Sequence, residues 1–517
     1  MPQNDRRTAR VRLRLFTALV MVLPVFVMGI GGARPAAAAP ESIIYFPWIP
    51  NGETIGGQGP WVADLAFQNL SDTFCPVSIY PVRDGEWPVT PPAQITLGAR
   101  ESRAVSSQSL GVRSPGAPVR LEAQCEMMAS LKTVTPDSAV APWSDGARIV
   151  SGYTGLTRAE LVTAEASTTS AWFLPIVQTN SDWNTFIRVA NFNTSRALSV
   201  RVELYPQGNT AGSGGADVVL TRTVQSGETW TVNALETLNE PEWVGFARIT
   251  ADGDVGVIAN RTKASTQMTL TNVGIAADGI SSSGEYHLAA PLLFNAYNGW
   301  NTGINLANIT DSPSAVTVTY FAADGGMAGE ESLSIPARSM EYIYTPGNVQ
   351  QEGFVGSAMI ASDRPLVAAI DEVKYETTEG LSYMASGVAQ NDAALPIVFR
   401  EDPSRGRHDN SGINIINLSP DSEQTIAFEF FTLPGNELLE DPLTITIPAG
   451  SNSFVYLPFI DGIPPGTVAS ARLISENPDG FVAISNDINY AVSGDGSVVF
   501  VASSSRGYYH IPETLGQ

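Results

Sequence analysis

The sequence predicts an all-β protein: four tandem antiparallel β-sandwich domains following a signal peptide. Three observations predict it. First, one nine-residue pattern occurs four times, as Trp61–Asn69 (WVADLAFQN), Trp183–Asn191 (WNTFIRVAN), Trp300–Asn308 (WNTGINLAN) and Asp409–Asn417 (DNSGINIIN). Second, the positions four and two before each closing Asn are apolar: Leu65 and Phe67, Ile187 and Val189, Ile304 and Leu306, Ile413 and Ile415. That period of two marks a strand with one buried face. Third, charged residues are only 16% of the 517, while Gly (46) and Pro (35) are plentiful. Such a composition favours short strands and many turns over helices.

The closing asparagines 69, 191, 308 and 417 step by 122, 117 and 109 residues. Solenoid repeats run about 20–50 residues, so these units are too long for a solenoid repeat or a single propeller blade. They match domains of about 100 residues with seven or so strands, the size of an immunoglobulin-like sandwich. The expected units are residues 39–156, 170–282, 285–390 and 393–517, the last with an added C-terminal strand.

The N-terminus reads as a targeting segment. Arg6, Arg7, Arg10, Arg12 and Arg14 precede an apolar run, Leu15–Ile30, and Ala36–Ala39 offers a small-residue cleavage site. Residues 1–38 are the expected signal peptide, with an uncleaved anchor as the alternative. No later apolar run is long enough to span a bilayer. The mature chain is expected outside the cell or on its surface, without a transmembrane segment.

Each unit opens with a strand that reaches a Pro: Ile43–Pro47, Trp172–Pro175, His287–Pro291 and Ala394–Pro396. Pro donates no ladder hydrogen bond, which fits a first or edge strand. A variable loop follows, such as Asn51–Pro60 or Glu401–Asp409, and then the nine-residue pattern. After its Asn come a polar turn and a second alternating strand, represented by Val316, Val318 and Tyr320 in unit three. A further strand ends at a Gly or Ala turn. The closing pair then aligns Val244–Ile249, Val355–Ile360 and Val468–Leu473, leading to Val255–Ile258, Leu366–Ala369 and Phe481–Ile484. Thr157–Glu165 leans helical, with a linker or an extra strand as alternatives. Tyr508–Pro512 resembles an opening strand; it either completes unit four or pairs with another molecule by strand addition.

The formal net charge is −23. Phosphate binding needs clustered Lys and Arg, so nucleic acid is excluded as an expected partner. Cys75 and Cys125 both lie in unit one, one at a strand start and one at the closing turn. They are expected to form a disulfide closing about fifty residues, worth roughly 4 kcal/mol in the chain-entropy model. His287, His408 and His510 are the three histidines, and no Ser-His-Asp set repeats. Asn260, Asp371 and Asn486 align near the end of the closing strand. Their oxygens suit calcium, but turn formation explains them better, and no metal or cofactor is expected. Trp61, Trp183 and Trp300 align and offer faces for stacking on a glycan; unit four has Asp409 there. Asn69, Asn193, Asn260, Asn308 and Asn417 begin N-x-[ST] sequons. An anchor Asn on the apolar face is better read as bonding the following turn.

The run Gly299–Asn308, then Val316–Phe321, Ala323–Gly325 and Gly353–Ala358, resembles a family of secreted bacterial tandem β-sandwich repeats, mostly uncharacterised surface or extracellular proteins. The resemblance covers nearly all of residues 43–505. It implies a non-enzymatic extracellular setting and carries no catalytic residues. The expected function is therefore a structural or adhesive component, arranged as a rod or compact cluster. Its expected partners are cell-envelope proteins, surface glycans or other copies joined through the C-terminal strand. A carbohydrate-binding array using the aligned Trp residues is the alternative.

Overall fold

The computed structural model describes residues 40–136, 147–158, 160–161, 170–208, 215–266, 268–276, 286–345, 349, 353–376, 379–402, 409–419, 421–477, 479–489, 498–501 and 509–510. The expected signal peptide, His408 and much of the loop before Asp409 lie outside the described residues. Residues from Pro40 onward form one compact unit. No described helix is long and apolar enough to cross a membrane.

Each repeat supplies eight main strands. In repeat 3 they are Tyr286–Asn295, Asn301–Asn308, Ser314–Ala322, Met327–Ile335, Ser339–Tyr344, Phe354–Ser362, Leu366–Lys374 and Glu379–Met384. They form two antiparallel sheets, ordered first-sixth-third-fourth and fifth-second-seventh-eighth. Repeats 1, 2 and 4 use the same two orders. The alternation seen in the sequence places Ile304, Leu306, Val316, Val318, Ile360 and Ile370 between the sheets of repeat 3. The expected Cys75–Cys125 disulfide is present in repeat 1.

The strand order departs from the immunoglobulin pattern at its edges. That fold pairs its second strand with its fifth and its third with its sixth, and flanks them with the first and seventh strands respectively. Here the two central pairings persist. The first strand, however, lies beside the sixth and the seventh beside the second. Alternation along a strand reports its buried face and not its neighbour, so the sequence could not distinguish the two arrangements.

The repeats are not strung as a rod. The first strand of repeat 1 (Ser42–Pro50) packs on the second and seventh strands of repeat 2 (Trp183–Asn191, Val255–Lys263). The same contact joins repeat 2 to 3 and repeat 3 to 4. The first strand of repeat 4 (Asp392–Phe399) then packs on the second and seventh strands of repeat 1 (Gln58–Asn69, Met127–Pro136). The eighth strands, Ala147–Thr154, Met268–Val273, Glu379–Met384 and Val498–Val501, touch in sequence, and the last touches the first. The four repeats thus close into a ring with these strands innermost. Eight sheets stand face to face around it, the layering of a β-propeller in which each repeat provides two neighbouring blades.

Apolar side chains fill the seams. Phe173, Tyr205 and Phe246 of repeat 2 meet Ala307, Met340, Val367 and Ala369 of repeat 3. At the first seam the Tyr45 and Phe192 rings meet edge to face at 4.9 Å. Gly256 is required there, since a Cβ would stand 2.7 Å from the Phe192 ring and 2.8 Å from Pro47.

The helix-leaning Thr157–Glu165 instead begins as a two-residue strand, Leu156–Thr157, paired with Ile44 and Tyr45; residues 162–169 lie outside the described set. The α-helix of the described residues is Ala234–Leu238, with the Asn233 side chain accepting from the Glu236 amide. Tyr509–His510 pairs with Val388–Ala389 between repeats 3 and 4 of the same chain.

Candidate functional site

The four anchor asparagines are buried, at 0–1% exposure, and perform one task. Asn308 Nδ2 donates to the carbonyls of Ser312 (2.8 Å), Ile335 (3.1 Å) and Pro336 (3.0 Å), while its Oδ1 accepts from the Thr310 amide at 3.0 Å. Asn69, Asn191 and Asn417 bond equivalent turns, and their side-chain oxygens accept from the amides of Ser71, Asn193 and Ser419. An apolar-face Asn is tolerated because both ends of its amide are satisfied. With Nδ2 enclosed in this way, Asn69, Asn308 and Asn417 are not open to glycosylation.

Five residues beyond the register partner of each anchor, the seventh strands carry Lys132, Asn260, Asp371 and Asn486. These include the three oxygen-bearing residues weighed as calcium ligands. Each instead holds a seam or its own sheet. Asp371 receives a two-pronged ion pair from Arg261 of repeat 2, with Nη1 to Oδ2 at 2.8 Å and Nη2 on Oδ1. Arg261 is fully buried; its Nε donates to Asn272 Oδ1 at 2.9 Å. Ser382 Oγ and Asn305 Nδ2 also donate to Asp371, at 2.6 and 3.0 Å. Asn486 Oδ1 accepts from Asn414 at 2.8 Å.

At the first seam, Arg188 Nε donates to Asn260 Oδ1 at 3.1 Å and its Nη2 to Glu53 at 2.7 Å. Glu53 also accepts from Trp48 Nε1 at 2.6 Å. Glu53 lies in the variable Asn51–Pro60 loop. There Glu53 holds Arg188, and Gln58 donates to the Lys263 carbonyl at 3.2 Å, so the loop clasps repeat 2.

Lys132 sits at the ring-closing seam. Its Nζ is 2.9 Å from Asp487 and 3.9 Å from Asp409, both in repeat 4. Asp64, its cross-strand partner, is buried as well. Burial pushes the Asp64 carboxyl up to about 6 and Asp487 up to about 7, with Lys132 opposing both shifts. In repeat 3, Glu372 is fully buried and accepts from Thr302 Oγ1 at 2.7 Å. Desolvation holds its carboxyl well above the usual range.

The aligned tryptophans are buried, with 3%, 6% and 3% exposure for Trp61, Trp183 and Trp300. They leave no ring face for stacking a sugar. Trp61 packs with Ile55 and with Phe186 of repeat 2; Trp183 packs with Met268, Leu270 and Val373 of repeat 3. Asp409, which breaks the Trp pattern, occupies the corresponding seam position and faces Lys132. A cavity of about 20 Å³ between repeats 1 and 2 is lined by Trp48, Glu53, Trp61, Tyr153, Asn260 and Thr271. That volume suits about one water and is far below a sugar.

Sequence reasoning missed Arg261, Arg188 and Lys132. For Arg261 the signal was phase: it continues the inward series Val255, Val257, Ala259, so a charge falls on the core face of its strand. It missed the exposed aromatics too. Tyr342 and Tyr344 on the fifth strand of repeat 3 are 47% and 40% exposed, with rings 6.4 Å apart and nearly parallel.

No protein-family model matches the chain, and no curated protein matches it. Among solved structures, one match is the native conformation of alpha-2-macroglobulin from E. coli, at 8% identity and a TM-score of 0.10. The match covers 90% of this chain, which spans 39% of that one, and so low a score carries no argument.

Proposed function

We propose that this protein is an exported structural or adhesive component of the cell surface or extracellular space, without catalytic activity. One observation carries the reading. Four repeats close on each other, and the buried charges at the seams are matched chiefly to one another. Arg261 with Asp371 and Arg188 with Glu53 are bound within the scaffold, which suits a rigid platform. Export rests on the N-terminal segment of the sequence and on the resemblance to secreted repeats. The test is fractionation of the producing cells, followed by binding of the purified mature chain to those cells and to their envelope. Recovery from the cytoplasm alone would end the proposal.

A glycan-binding role is the second reading, now supported by Tyr342 and Tyr344 in place of the buried tryptophans. The Tyr342 ring lies against Gly303, where a Cβ would come within 2.6 Å of it, so it also covers a bare stretch of strand. A glycan array separates the two roles. Tyr342→Ala with Tyr344→Ala would abolish binding if the rings hold sugar. Binding unchanged in that variant, or absent from the parent chain, would remove this reading.

A further inference from the structure

The peptide chain links repeat 1 to 2, 2 to 3 and 3 to 4, but no covalent link joins repeat 4 to 1. There the first strand of repeat 4 rests on the second and seventh strands of repeat 1. Ala394 packs against Leu70 and Met128, and Ala66 and Val134 join the core of repeat 4. The two faces are different surfaces of one molecule. An interface of that kind closes a ring within one chain or joins successive copies head to tail.

We propose that the seam between repeats 4 and 1 is also the surface by which copies of this chain associate. When the ring opens, repeat 4 of one copy seats on repeat 1 of another. The occupant is argued from the closed ring itself: the face that covers repeat 1 here is carried by every copy, so complementarity is already built.

The charges, with the missing peptide link, suit this seam to opening. At the linked seam between repeats 2 and 3, one guanidinium meets one carboxylate, with neutral donors completing the shell. At the closing seam, among the described residues, the Lys132 ammonium faces three carboxyls: Asp64 from the second strand of repeat 1, and Asp409 and Asp487 from the second and seventh strands of repeat 4; Arg472 is taken up by Asp392 and Glu429 of its own repeat. The ring of Phe399 on the first strand of repeat 4 lies 5.1 Å from Lys132 Nζ. Among the described residues, one buried oxygen each of Asp64 and Asp487 finds no hydrogen-bond partner. With all three acids ionised, this cluster holds a surplus of negative charge largely away from water, which is unfavourable.

The sign follows from the raised carboxyls. The closed seam holds protons on Asp64 and Asp487 that the opened chain releases near pH 4. Closure is therefore favoured at acid pH, and that advantage is lost as pH rises through about 6 and about 7.

The experiment mixes unlabelled and nitrogen-15-labelled mature chain at pH 5 and at pH 8, returns samples to pH 5 to hold the seams shut, and reads mixed species by native mass spectrometry. Mixed dimers and higher oligomers are expected after incubation at pH 8, forming at least about tenfold more slowly at pH 5, the change that one pKa unit corresponds to. Asp487→Asn, which mimics the protonated acid, should slow mixing at pH 8 by a similar factor, and Lys132→Met should speed it. If Lys132→Met does not fold, the parent pH comparison and Asp487→Asn decide. Three results would overturn the proposal: no mixing at pH 8, mixing equal at both pH values, or mixing abolished by deleting residues 502–517, which would place the joint in the C-terminal strand.

Discussion

Removal of the Asp371 carboxylate offers the sharpest test of how the seams hold. Arg261 is fully buried, and among the described residues its ion-pair partner is Asp371. In Asp371→Ala the guanidinium keeps Asn272 and Ser382 as hydrogen-bond acceptors, but its charge is uncompensated. Breaking a buried pair in this way costs about 3–5 kcal/mol. Ser382 and Asn305 lose Asp371 as an acceptor but keep the carbonyls of Ile370 at 3.1 Å and Ala369 at 3.3 Å. We therefore expect about 4 kcal/mol, roughly a thousandfold in the opening equilibrium.

Hydrogen exchange reads this directly, because the strands Met268–Val273 and Glu379–Met384 meet across the seam. Their protection should fall by about that factor, while Tyr45 and its neighbours at the first seam change little, since distant sites add independently. The double variant Arg261→Met with Asp371→Leu removes both charges and should recover all but about 1–2 kcal/mol. A loss below about 1 kcal/mol in Asp371→Ala, or a double variant no better than the single, would refute the argument that the ion pair is buried and mutually compensating.

Other outcomes follow from the same structure. Asn308→Ala should cost about 3 kcal/mol in urea unfolding, because a three-way donor is lost from buried carbonyls; a cost under about 1 kcal/mol would mean that water replaces it. Gly256→Ala should loosen the first seam by about 1–3 kcal/mol through overpacking against Phe192 and Pro47, read as faster exchange at Tyr45; unchanged exchange there would show that the seam yields. Replacing both Cys75 and Cys125 by Ala should lower stability by about 4 kcal/mol, given their separation of 50 residues, with the midpoint of urea unfolding as the measure. Asp487→Asn should flatten the decline of thermal stability between pH 5 and 8, since its raised carboxyl contributes to that decline; a profile identical to the parent chain would contradict the assignment.

Within a repeat, much of the fold was legible from residues alone. Period two placed Ile304, Leu306, Val316 and Val318 in the core, because a pleated strand alternates its faces. An Asn ending an apolar series had to bond a turn, because a buried amide needs partners. The cysteines could be paired from their places in one repeat. The candidate site was legible only in part. Asn260, Asp371 and Asn486 were marked by alignment, yet their chemistry was assigned to turns or calcium, because their partners lie far along the chain. Trp61, Trp183 and Trp300 were marked for the same reason. Whether an aromatic ring faces water or a neighbouring repeat is not written in its own strand.

The sequence by itself determined the all-β character, the four repeats, the inward face of each strand and the disulfide. The tertiary structure alone decided which strands neighbour each other, that the first and seventh strands depart from the immunoglobulin order, and that the repeats close into a ring. The physical reason is range. Alternation and turn chemistry act over a few residues, whereas the contact that completes the ring joins Lys132 to Asp487, 355 residues apart. Only the packed chain brings those two charges into one dry seam.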